Sequence, residues 1–312
     1  MRKFLLITLL FCLVASLADA QFGKKRRRSS FGKKKPPYRY ELIGSIGATN
    51  FLGDLGGANQ IGTNGLKDLE YTLTRPALGA SMRWKVQQYF SVKGNLYWGI
   101  LKGDDRLTKE PFRNNRNLDF KSNIFELSGQ VEFNFIKEQK GHVYKISGVR
   151  GMAHKDRQIY LFGGGGGLFF NPKGKYLDGS WVPLQPLGTE GQGLAGYPKK
   201  YSRLTGLISV GGGARFAINR YWGIGFELGM RKTFSDYIDD VSTEYATQSL
   251  IAAGASPKAV FFADPSQAKG QYPGSVCEGC QRGDKTNKDA YMFGVLTVGY
   301  KVMYRKRSRS KF

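Results

Sequence analysis

Cys277-Glu278-Gly279-Cys280 is the only close pair of thiols in the chain, because the third cysteine, Cys12, lies near the N-terminus. Two thiols with no histidine nearby and no second CxxC half make a poor zinc site. In an exported chain they tend to oxidise, so a local Cys277–Cys280 disulfide is the main reading, and no thioredoxin-like context points to redox work. The two histidines, His142 and His154, share one connection with only Asp156 nearby, which suits ordinary polar residues better than a catalytic base. The five glycines from Gly163 to Gly167 lack a GK[ST] ending and a following helical pattern, so they do not read as a phosphate loop. In a strand, such a run permits a tight bend or a close backbone contact. Asp236, Asp239 and Asp240 could ligate calcium, although a rim turn with Asx hydrogen bonds accounts for them better. These residues call for no metal, no cofactor and no enzyme.

The more informative charges recur at alternate positions of apolar segments. Arg83 and Lys85 alternate with Leu78, Ala80, Met82, Trp84 and Val86, and Lys93 faces away from Phe90, Val92, Leu96, Trp98 and Ile100. Glu126 and Glu132 oppose Phe125, Leu127, Val131, Phe133 and Phe135. Arg215 opposes Phe216 and Ile218, and Glu227 and Arg231 alternate with Trp222, Ile224, Phe226, Leu228 and Met230. Glu41 does the same in the segment from Tyr40. Period two is the strand signature, and these segments, with Ile159–Phe170 and Tyr291–Tyr304, make eight. If all the polar faces share one lumen, Glu41, Glu126, Glu132 and Glu227 can pair there with Arg83, Lys85, Lys93, Arg215 and Arg231. In a two-sheet sandwich the same charges would lie outside and the apolar faces would meet.

The surrounding chain favours the lumen. Arg2 and Lys3, the apolar run Phe4–Leu17 and Ala18-Asp19-Ala20 read as a secretory signal over 1–20, which would take Cys12 with it and leave Gln21 first. No other stretch approaches the roughly 20 apolar residues of a membrane helix. A membrane protein without such helices must be a closed barrel, because only helices and barrels satisfy every backbone polar group in lipid. Residues 87–89 and 219–221 are short turns, whereas 51–74, 102–121, 171–202 and 234–289 are long. Long and short connections thus alternate, apart from 136–158, as in outer-membrane barrels. The expected fold is all-β: an eight-stranded antiparallel transmembrane β-barrel over 40–304 with long outer loops. Its interior is wide enough only for side chains, so an open pore is not expected. Trp84, Trp98 and Trp222, with Tyr89 and Tyr221, read as interface anchors.

An even strand count puts both termini on the short-turn, periplasmic side. Most of the net charge of +24 then falls on that side as well. Lys24, Lys25, Arg26, Arg27, Arg28, Lys33, Lys34 and Lys35 form a basic arm over 21–39, and Arg305, Lys306, Arg307, Arg309 and Lys311 form a tail over 305–312. Both runs hold little to bury and read as disordered on their own. They could grip an acidic protein surface or anionic lipid headgroups, or remain solvated tails. The signal peptide and this placement argue against a nucleic-acid partner despite the charge.

Several segments carry a family resemblance. They are Thr49–Gly57 at the end of the first strand, Asn123–Ser128 in the fourth, Tyr160–Gly164 with Phe170-Asn171-Pro172, Leu184–Gln192, and Arg231–Ser242 after the seventh. Together they resemble the Bacteroidota outer-membrane β-barrel family that includes PorG, a component of the type IX secretion system. The likeness runs from about Tyr40 to Tyr304. It implies a non-enzymatic barrel in contact with periplasmic ring proteins of the PorK/PorN kind, a contact that the basic arms would suit. The competing expectation is a barrel whose loops 171–202 and 234–289 bind an external ligand or a neighbouring membrane protein.

Overall fold

The computed structural model describes residues 38–53, 55, 71–87, 89–107, 111–136, 157–219, 221–268 and 278–303. The signal segment 1–20, both basic arms, His142, His154 and Cys277 lie outside the described residues. Eight strands form one antiparallel ring: β1 (Tyr38–Leu52), β2 (Arg75–Lys85), β3 (Phe90–Asp104), β4 (Asp119–Asn134), β5 (Arg157–Lys175), β7 (Leu204–Ala217), β8 (Trp222–Thr233) and β9 (Ala290–Met303). A short strand, β6 (Trp181–Pro183), adds to the far end of β5. Pairing of β1 with β9 and of β4 with β5 closes the sheet and leaves no long edge.

The register sets the barrel's shape. Moving from Phe169 through the directly paired residues Phe125, Trp98, Leu78, Ile46, Leu296, Phe226 and Ala214 returns to β5 at Ile159, ten residues along the strand. That stagger tilts the strands and gives an interior that side chains can fill.

Outward positions are apolar and exposed in a belt. Trp84, Phe133 and Phe226 are 45%, 39% and 48% exposed, each on the outer wall, so the sandwich arrangement is excluded. At the short-turn end aromatic rings gather: Phe133 lies 5.2 Å from both Phe90 and Phe135, and Trp222 lies 5.0 Å from Tyr300. The turns there are tight. Val86 and Gln87 donate to the Phe90 carbonyl, and Asn219 Oδ1 accepts from the amides of Tyr221 and Trp222. From Phe125 to Phe135 the apolar belt is roughly 25 Å tall, taking about 3.3 Å per residue and a tilt of about 40°. That height matches the outward apolar band of a lipid-spanning barrel.

Above the belt the polarity inverts. Leu101, Phe120, Ile124, Leu168 and Phe170 point inward and are buried, whereas Lys102, Lys121, Lys173 and Lys175 lie on the outer wall. The strands therefore continue past the positions where apolar-out alternation stops. Residues 102–104 and 119–121, expected in a loop, belong to β3 and β4, and residues 171–175 and 181–183 belong to β5 and β6. Outside the belt the wall meets water, so the apolar face turns inward and packs a conventional core. Phe51, Leu55, Tyr97, Leu207, Ile238, Val241, Tyr291 and Phe293 complete that core.

Inward glycines stand where the neighbouring backbone or a large lumen side chain leaves no room for a Cβ. A Cβ on Gly166 would sit 2.1 Å from the Leu127 carbonyl oxygen, and one on Gly213 would sit 2.6 Å from the Tyr160 ring. The outward Gly167 has nothing within 4 Å of such an atom. Gly166→Ala should lower stability by about 2 kcal/mol or more through overpacking. Gly167→Ala should be neutral or stabilising by about 0.5 kcal/mol. Urea midpoints in micelles, followed by tryptophan fluorescence, test the contrast, and equal shifts for the two variants would contradict it.

Candidate functional site: an ion-filled lumen under a stitched cap

The barrel interior below the core is polar. Arg83 on β2 bridges two carboxylates: Nη1 reaches Glu41 Oε2 on β1 at 2.7 Å, and Nε and Nη2 reach Glu132 on β4 at 2.6 and 3.0 Å. Arg215 on β7 reaches the same Glu41 oxygen at 3.3 Å and also donates to Asn134 and Gln158. Higher up, Lys93 on β3 meets Glu227 on β8 at 2.6 Å, and the Tyr160 hydroxyl donates to the same Glu227 oxygen at 3.0 Å. Near the top Arg231 lies 3.5 Å from Glu126, which also accepts from the Tyr291 hydroxyl at 2.8 Å. Lys85 is held at the short-turn mouth, 4.9 Å over the Tyr38 ring, with Lys301 at the same distance from that ring.

The structure thus gathers Glu41, Arg83, Lys85, Lys93, Glu126, Glu132, Arg215, Glu227 and Arg231 inside one cylinder, Lys93 fully buried and Arg231 1% exposed. Apart from Arg83–Glu41, which links the adjacent strands β1 and β2, these ion pairs join strands that are not neighbours, such as β3 with β8, so they cross the lumen and brace it. Tyr97, Tyr160, Tyr291 and Lys301 complete the filling. Alternation with Ser91, Lys93 and Asn95 sets Tyr97 on the polar face from sequence, whereas Tyr160 and Tyr291 are harder to place, because an aromatic residue reads equally well as facing lipid. Their even spacing with the lumen charges was the available signal.

The second polar assembly lies above the core, where the two longest loops meet. Glu190 accepts from the amides of Ser242 and Thr243, the Thr243 hydroxyl at 2.7 Å and Arg282 Nη1 at 2.9 Å. Arg282 Nη1 also donates to the Asp240 carbonyl at 2.7 Å, and Nη2 donates to that of Phe262 at 3.2 Å. Asp240, at φ 68°, accepts from the hydroxyls of Thr189 at 2.6 Å and Tyr201 at 2.5 Å. Asp239 accepts the amides of Leu55 and Val241, and Asp236 accepts the Ser242 hydroxyl. The aspartates therefore stitch loops together at the barrel mouth rather than decorate an open rim. Among the described residues no group of three or more potential metal ligands occurs.

Cys280 is disulfide-bonded, and its carbonyl accepts the Tyr245 amide. Beside it, Glu278 accepts the amides of Gln248 and Ser249 at the start of the helix Thr247–Ala252. Burial pushes the Asp240 carboxyl up to about 6, against the pull of Arg282. Burial also pushes the Tyr201 hydroxyl well up, with the Asp240 charge adding to it. Sequence reasoning passed over Glu190, Tyr201 and Arg282, because their partners lie tens of residues away.

Arg83→Met should cost about 3–5 kcal/mol, since it strands Glu41 and Glu132 without their cation. Adding Glu41→Gln and Glu132→Gln should recover much of that loss, and urea unfolding reads both effects. In planar bilayers the native barrel should show no steady open-pore current. A second test concerns the cap. The folded state holds the Asp240 proton up to about pH 6, whereas an unfolded carboxyl releases it near its ordinary value of 3.8. Between those values the folded state binds more protons, so cap stability should fall as pH rises, by up to about 3 kcal/mol. Hydrogen exchange of the cap amides at pH 5 and pH 7 checks the direction, and Asp240→Asn should flatten the dependence.

A family model described as a domain of unknown function, DUF6089, matches residues 39–149. No curated protein matches the chain. Among solved structures the chain is similar to Ail, the attachment invasion locus protein of Yersinia pestis, crystallised with the heparin analogue sucrose octasulfate. That likeness has 10% identity and a TM-score of 0.36, and covers 85% of this chain and 99% of Ail. Neisserial surface protein A is similar at 7% identity and TM-score 0.35, over 84% of this chain and 96% of that one. The outer membrane protein OprG of Pseudomonas aeruginosa is similar at 8% identity and TM-score 0.33, over 86% and 98%. What the chain itself establishes is its architecture, a closed eight-stranded antiparallel β-barrel with an apolar wall and an ionic interior.

Proposed function

We propose that this chain is a non-enzymatic outer-membrane barrel that anchors or organises a periplasmic assembly, as a PorG-like component of the type IX secretion machinery. The observation that carries the reading is the position of the strand ends. Tyr38 on β1 pairs with Met303 on β9 at the short-turn mouth, so the first and last described strands begin and end beside each other. Lys24, Lys25, Arg26, Arg27, Arg28, Lys33, Lys34 and Lys35 precede that pair in the chain, and Arg305, Lys306 and Arg307 follow it. Runs of like charge repel each other, and an acidic partner surface such as that of a PorK/PorN-like ring would relieve the repulsion. The crossed ion pairs support the same reading, because a lumen filled by its own side chains serves as a rigid anchor and not as a conduit. In this proposal the apolar belt lies in outer-membrane lipid, the termini lie in the periplasm, and Cys277 pairs with Cys280 on the outer side.

A second reading is favoured by the stitched cap. Loops merely tolerated at a barrel mouth have no need of a buried Glu190–Arg282 pair, so loops 171–202 and 234–289 could present a surface to an external ligand or a neighbouring membrane protein.

The two readings part in one experiment. Membranes are solubilised and the barrel is captured intact, without residues 22–36 and the tail after Tyr304, or with the 234–289 loop shortened. Under the anchoring reading, loss of the arms leaves a folded barrel that no longer retains its periplasmic partner, and added salt weakens the intact complex. Capture that survives arm deletion and fails on loop shortening would overturn anchoring in favour of the surface reading.

A further inference from the structure

The loop end holds a cavity of about 290 Å³ that neither the lumen nor the anchoring reading uses. One wall is aromatic. Tyr176 lies 5.1 Å from Phe261 and 5.9 Å from Phe262, and the two phenylalanines lie 5.2 Å apart. The helix Pro257–Ala263 supplies both phenylalanines, with its first turn capped by the Ser256 side chain. Phe262 is seated in a notch at Gly174, where a Cβ would come within 2.5 Å of its ring. The Tyr176 and Phe261 rings stand nearly perpendicular, at 85°, and so form a corner.

The facing wall is polar, and its charges already answer one another. Arg106 is paired with Asp104 at 2.8 Å and lies 3.8 Å from Asp119. Asp119 accepts one long bond, from the Lys175 amide at 3.4 Å, so its carboxylate keeps acceptor capacity in a mostly buried setting. Burial pushes this carboxyl above the usual range, against the pull of the Lys175 amide and Arg106. Asn117, at φ 58°, also lines this wall and donates its side-chain amide to the Pro265 carbonyl.

We propose that this cavity binds a neutral saccharide unit, with a sugar ring seated in the corner that the nearly perpendicular Tyr176 and Phe261 rings form and its hydroxyls meeting Arg106, Asn117 and Asp119. The volume is at the small end of ligand pockets and suits one ring rather than a long apolar molecule. Both signs of charge line it, so a net anion would meet Asp119 and a net cation would meet Arg106 and Lys175, each at a cost. Hydroxyls donate and accept in turn, and they satisfy both kinds of group without bringing charge. The inference stands on the cavity alone and survives failure of the anchoring reading.

The test uses the full mature chain in micelles and saturation-transfer NMR. The probes are glucose, galactose, mannose, N-acetylglucosamine and their disaccharides, with phenylalanine and glucuronate as zwitterionic and anionic controls. At least one neutral sugar should bind, and its affinity should fall about tenfold or more in Asp119→Asn, where a charge-assisted bond is lost. Phe261→Ala should weaken binding as well. Thermal unfolding reports whether that variant's cap is intact; if it is loosened, Asp119→Asn alone decides. Silence from every neutral sugar, binding confined to the charged controls, or binding unchanged in Asp119→Asn would each overturn the proposal.

Discussion

Every backbone N–H and C=O that faces lipid needs a partner within the chain, because hydrocarbon offers none. In this molecule the β1–β9 and β4–β5 pairings meet that demand by closing the ring. Closure has a second consequence. Once the sheet has an inside, alternate residues are committed to a narrow interior, and whatever stands there must be paired or filled. Glu41, Arg83, Glu132 and Arg215 are tolerable in the lumen because they meet one another across it. Single charges in that position would be costly.

The same closed wall serves two environments. Within the belt the apolar face points out to lipid and the polar face fills the lumen. Beyond Phe125 and Phe169 the outer face meets water, and Phe120, Ile124, Leu168 and Phe170 turn the interior into an ordinary hydrophobic core. One set of strands thus behaves as a membrane protein over part of its length and as a soluble barrel over the rest. The core in turn gives the long loops something to dock on. Ile238 and Val241 enter it directly, and the Glu190–Arg282–Asp240 network is assembled around them.

A filled lumen and a stitched cap divide the molecule's possible work between its two ends. The interior is braced by the Arg83 bridge and the Lys93–Glu227 pair. The short-turn mouth pairs Tyr38 with Met303, and the loop end offers a shaped cavity.

Period two alone determined a great deal. The alternation around Arg83, Lys93, Glu132 and Glu227 marked the strands and both of their faces, because a strand's neighbours are dictated locally by its pleat. The same alternation misled at the strand ends. Leu101 and Phe120 are apolar residues on the inward face, so a rule of apolar-out stopped short of Asp104 and began late at Asp119. Only the tertiary structure decided which charges meet, since register around a closed ring sets Lys93 against Glu227 across 134 positions of chain. It alone brought Glu190, Asp240 and Arg282 together from two loops. Local pattern reports which way a side chain faces, and contact depends on where the rest of the chain returns.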